Sequence, residues 1–137
     1  MIREAAALAM VALVSGCATH AVGPLEAEPV STDRLYAFQH QPDGPYGTIT
    51  LLRDSGFTGA GCDQLVTINR QKAAEIEDGE SASFYLKPGQ ALLGVDTRGI
   101  CGGGLKEEVV NVEEGQIYYF RSSIDTSMSL DLSPTIY

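Results

Sequence analysis

Two groups of closely spaced carboxylates are the first residues in this sequence that could do chemistry. They are Glu75, Glu77, Asp78 and Glu80, and then Glu107, Glu108, Glu113 and Glu114. Paired carboxylates can act as acid and base on a glycoside or hold calcium. Both groups lie beside turn residues, where solvated acids are ordinary, and neither has calcium-loop spacing. A metal-dependent hydrolase using these carboxylates is therefore an alternative reading, and it needs at least two of Glu107, Glu108, Asp63 and Asp78 to converge in one concave site. The two histidines, His20 and His40, stand apart and fit no zinc spacing, and there is no Gly-x-Ser-x-Gly. Glycines cluster in Gly56–Gly61 and Gly99–Gly104, but neither run ends in Gly-Lys-Ser/Thr or opens a βαβ unit. No nucleotide or other cofactor is expected. The net charge of −9 argues against nucleic acid, whose binding relies on Lys and Arg neutralising phosphates.

The third reactive residue type is cysteine, and Cys17 stands in a distinctive setting. Arg3 is followed by the unbroken apolar run Ala5 to Val14 and then by Val14-Ser15-Gly16-Cys17. Ten apolar residues are too few to span a bilayer, which takes about 20, but suit the apolar region of a signal peptide. Val14-Ser15-Gly16-Cys17 resembles the lipobox of bacterial lipoproteins. The resemblance implies cleavage before Cys17 and lipid on that cysteine, so residues 1–16 read as a lipoprotein signal peptide. Several acyl chains, at about 0.8 kcal/mol per buried CH₂, hold a domain on a membrane without its help. Ala18 follows Cys17, where aspartate would mark inner-membrane retention. The expected location is thus the outer membrane, facing the periplasm, with the inner membrane as alternative.

With Cys17 assigned to lipid, Cys62 and Cys101 are an even pair in an exported chain. Oxidising compartments favour disulfides, and the glycines around each cysteine permit the close approach of two loops. A Cys62–Cys101 disulfide is expected. A redox-active Cys-x-x-Cys is absent.

The elements that must position these residues are short and β-like. Ala18 to Asp33 holds Gly23, Pro24 and Pro29 with no apolar period, so residues 17–33 read as a lipidated N-terminus and flexible tether spanning about 20 Å. From Arg34 onward, strand-length runs alternate with turns. Leu35–Phe38 opens the series. Ala82, Phe84 and Leu86 alternate with Ser81, Ser83 and Tyr85, and Met128, Leu130 and Leu132 alternate with Ser129 and Asp131. This two-residue period marks half-buried strands. Gln71 to Glu77 reads as a strand continuing a hairpin, with a short helix as alternative. Asp78-Gly79, Pro88-Gly89 and Glu114-Gly115 fall between runs as turns. Residues 34–137 are expected to form an all-β domain. It would be a small antiparallel sandwich, Ig-like or transthyretin-like, or a barrel, with about seven to nine short strands.

Phe84-Tyr85-Leu86-Lys87-Pro88-Gly89-Gln90, then Val112-Glu113-Glu114-Gly115-Gln116-Ile117-Tyr118-Tyr119-Phe120-Arg121, resembles the bacterial lipoproteins grouped as domain of unknown function 2846. Arg34-Leu35-Tyr36-Ala37-Phe38 is similar to that family's first strand. The resemblance implies a small β-sandwich on an envelope lipoprotein and brings no site residues. The expected function is non-enzymatic: an envelope module that meets the membrane through lipid on Cys17 and binds or scaffolds an envelope protein partner. An inhibitor of a basic host enzyme such as lysozyme is a further alternative, suited by the acidic charge.

Overall fold

The computed structural model describes residues 19–56, 61–97 and 101–137. Nine strands are present among them: β1 (Glu28–Pro29), β2 (Gly47–Arg53), β3 (Gln64–Ile68), β4 (Gln71–Ile76), β5 (Glu80–Leu86), β6 (Gly89–Thr97), β7 (Gly104–Val112), β8 (Ile117–Ile124) and β9 (Leu130–Thr135). A single 3₁₀ turn, Thr32–Arg34, precedes β2. One sheet has the order β1-β5-β2-β8-β9 and the other β4-β3-β6-β7. The chain is an all-β sandwich. The second sheet is antiparallel throughout, whereas β2 pairs in parallel with β8, and β1 with β5.

Alternation decides which side chains enter the core. In β5, Ala82, Phe84 and Leu86 are buried while Ser81, Ser83 and Tyr85 face outward. Ile49, Leu51 and Phe120 join them from the first sheet, and Val66, Ile68, Leu93 and Val95 face them from the second. Gln71–Ile76 is a strand and not a helix. Asn69 and Arg70, at φ 51° and 65°, close a two-residue hairpin that sets it antiparallel to β3.

The strand ends define two ends of the sandwich. At one lie the starts of β2, β6 and β8 and the ends of β3, β5 and β7. At the other, the interior becomes polar. Arg53, Gln64 and Ser122 are buried, and the Ser122 hydroxyl donates to Gln64 Oε1 at 2.7 Å, pinning one sheet to the other. Arg53 donates to the Ile76 carbonyl at 2.9 Å. At this same end the Cys62–Cys101 disulfide joins the loops that lead into β3 and β7, with Cα atoms 6.1 Å apart.

Two expectations fail. Leu35–Phe38 is not a strand. Leu35 makes one isolated bridge to Ala74, and Phe38 turns into the left-handed region at φ 60°, which ends any extended run. Nor is the N-terminal stretch a free tether from Thr19 onward. His20 bridges Ser55, Val22 and Val30 are buried, and Glu28–Pro29 adds to the edge of β5. The outward-facing Leu52 is also fully buried although it, like Val22, lies outside the central core. Met128, expected to begin the last strand, instead sits in the preceding turn at φ 63°.

Candidate functional site

The β5–β6 hairpin, the Phe38–Pro42 segment and the Asn69 turn surround an open groove of about 460 Å³. This is the volume range of small-molecule sites. Its walls are apolar at Phe38, Tyr85, Leu86 and Ala91, and polar at Gln39, His40, Asn69, Lys87 and Gln90. No carboxylate lines it, although the chain carries 18.

Local backbone geometry builds the groove. The Phe38 carbonyl accepts from the Tyr85 amide at 2.9 Å, so the segment lies along the free edge of β5. Gln39 Nε2 reinforces this by donating to the Ser83 carbonyl at 3.0 Å. Phe38 itself packs against the core while held at φ 60°. A bulky residue there carries a strain of order 1–3 kcal/mol, a cost that surrounding structure must offset and that clusters at binding sites. Asn69 Oδ1 accepts from the Leu92 amide at 2.9 Å, fixing the opposite wall.

The far end of the sandwich is tied, not open. The His20 amide donates to the Ser55 carbonyl at 2.7 Å and the Ser55 amide to the His20 carbonyl at 3.0 Å. Their side chains also meet, Ser55 Oγ lying 2.7 Å from His20 Nε2. Gly56, at φ 146°, leaves room for Thr19, whose Cα would stand 2.6 Å from any Cβ placed there. Nearby, Arg121 grips the buried Asp54 carboxylate with two hydrogen bonds of 2.7 and 2.6 Å. Arg34 does the same for Glu80, at 2.7 Å to each oxygen. Sequence reading missed both pairs.

The residues singled out by sequence disperse. Cys17 lies outside the described residues. Cys62 and Cys101 are bonded as expected. His40 lines the groove, whereas His20 belongs to the clamp. The four carboxylates do not converge in one site: Asp63 and Asp78 lie at the tied end, where both act on the Arg53 guanidinium, whereas Glu107 and Glu108 are in β7. Glu107 and Glu108 are successive residues of β7 and so project to opposite faces, Glu107 toward Arg70 at 3.9 Å. Asp78 occupies the β4–β5 turn and accepts from the Gly56 amide at 3.3 Å. Among the described residues, no three His, Cys, Asp or Glu come together as metal ligands. Ser55 and His20 touch, but among the described residues no carboxylate is hydrogen-bonded to that imidazole, so they do not form the arrangement of a hydrolytic triad.

Fold and site together define a disulfide-stapled β-sandwich with one end tied to the N-terminal strap and a groove at the other. No protein-family model matches the chain, and no curated protein matches it.

Proposed function

We propose that the chain is lipidated on Cys17 and serves as a non-enzymatic binding or scaffolding domain of the cell envelope, at the outer membrane facing the periplasm. The motif Val14-Ser15-Gly16-Cys17 and the apolar run before it support the anchor, and the Cys62–Cys101 bridge suits an oxidising compartment. The likeness to domain of unknown function 2846 is part of the same proposal.

One observation gives this reading its physical content: the fold takes hold of the chain at Thr19 and His20. Only Ala18 separates Cys17 from Thr19. Two residues span at most about 7 Å. Lipid on Cys17 therefore holds the tied end of the sandwich against the bilayer. From Ser55 back to Gly47 the strand rises about 25 Å, so the groove faces away from the membrane. A long flexible tether would set no distance between the domain and the bilayer; this leash keeps the tied end the nearest part of the domain to it.

Metabolic labelling with palmitate tests the anchor. Wild type should label and fractionate with membranes, and Cys17→Ser should do neither. Labelling of the Cys17→Ser protein would overturn the lipidation. Crosslinking in native membranes tests the binding role: recovery of no envelope partner by the labelled protein would count against it.

A further inference from the structure

We propose that the groove binds the C-terminal end of a short apolar peptide, its free carboxylate meeting Lys87 and His40. The proposal rests on the binding reading above, but not on the lipid at Cys17.

Charge is the first argument. Lys87 and Lys106 are the only described lysines or arginines that enter no hydrogen bond, ion pair or ring contact. Lys87 keeps this freedom in a chain with twice as many acids as bases and lines a groove that contains no acid. An unpaired ammonium at a groove lined by no carboxylate offers an anion a partner there. The His40 and Gln90 side chains also line the groove and make no hydrogen bond among the described residues, leaving groups for a carboxylate and an amide.

Shape is the second. Phe38, Tyr85 and Leu86 give the groove an apolar wall beside those polar groups. A fatty acid, the other apolar carboxylate of this size, needs a long enclosed apolar cavity to cover its chain. An open groove with amide and imidazole groups on its rim suits a chain end that carries amides of its own. The strained Phe38 backbone is the third argument, because it holds an aromatic ring at the groove in a conformation the residue does not favour alone.

The test uses full-length protein in detergent micelles, with amide shifts read by NMR as acetyl-Ala-Leu-Phe is added as free acid or as C-terminal amide. The free acid should shift the amides around Phe38, Tyr85 and Gln90 and bind about fivefold tighter than the amide, the worth of one exposed ion pair. Lys87→Met should erase that preference, and Lys87→Arg should retain it. Decanoate should not displace the peptide. Equal binding of acid and amide, shifts centred elsewhere, displacement by decanoate, or no binding of the free acid at millimolar concentration would each overturn the proposal. Failure of palmitate labelling would refute the anchor and leave these outcomes unaffected.

Discussion

Glu80 ties three parts of the molecule together, so Glu80→Gln is the most informative single perturbation of the fold. Its two carboxylate oxygens each accept from Arg34 at 2.7 Å, and one also accepts from the Glu77 amide at 2.8 Å. Arg34 in turn donates to the Glu75 carbonyl, and Glu80 pairs with Glu28 of the strap. The ion pair is mostly buried, with side chains 17% and 11% exposed. Removing one charge from a buried pair costs 3–5 kcal/mol, and the residual exposure favours the low end, about 3 kcal/mol. A domain's whole stability is about 5–15 kcal/mol. Burial pushes the Glu80 carboxyl up. The hydrogen bonds from Arg34 and the Glu77 amide, with the charges of Arg34 and Arg53, outweigh it and hold the group below its ordinary value of 4.5. A depressed folded value contributes stability that is present above about pH 4.5 and is lost as pH falls through the folded value. The gap between wild type and Glu80→Gln should therefore be about 3 kcal/mol at neutral pH and smaller in acid, shrinking as pH falls below 4.5. Urea unfolding followed by far-UV circular dichroism measures it, the chain having no Trp. The urea midpoint should move with the slope unchanged. A gap below 1 kcal/mol, or one of equal size at neutral pH and in acid, would refute the assignment.

Other positions offer independent checks. Reducing Cys62–Cys101, which encloses a separation of 39 residues, should lower stability by about 4 kcal/mol in the chain-entropy model, visible as a lower melting temperature. Arg70 occupies the hairpin position that favours glycine and is 81% exposed, so Arg70→Gly should raise stability by about 1 kcal/mol in the same urea titration. Gly56→Ala should dislodge Thr19 and the His20–Ser55 bridge, and hydrogen exchange at the His20 and Ser55 amides should accelerate while that of Val66 stays slow.

The sandwich was legible where one strand carried its own signal. Ala82, Phe84 and Leu86 announce β5 through alternation alone, and the even pair Cys62 and Cys101 announces a bridge. The strap was not legible, because Val22 and Val30 are isolated apolar residues in a Pro- and Gly-bearing stretch. Their value appears only when distant partners arrive, the Val30 amide donating to the Ser81 carbonyl of β5 and the Val22 carbonyl accepting from the Tyr137 hydroxyl. Asp54–Arg121 is hidden for the same reason, its partners being 67 residues apart. Leu35–Phe38 misled because its composition suits a strand, while Phe38 bends to take up the edge of β5. The groove assembles from three loops, and only its Pro88-Gly89 turn could be read locally.

The central claim is a lipid-held sandwich standing with its groove away from the membrane. Energy transfer between a bilayer-surface acceptor and a fluorescent amino acid placed at Thr126 or at Glu114 tests it directly. Both positions are exposed, Thr126 in the turn at the tied end and Glu114 in the turn at the groove end. With purified lipidated protein in vesicles, the account predicts that Glu114 stands about 25 Å farther from the bilayer than Thr126. Equal distances at the two positions would contradict it.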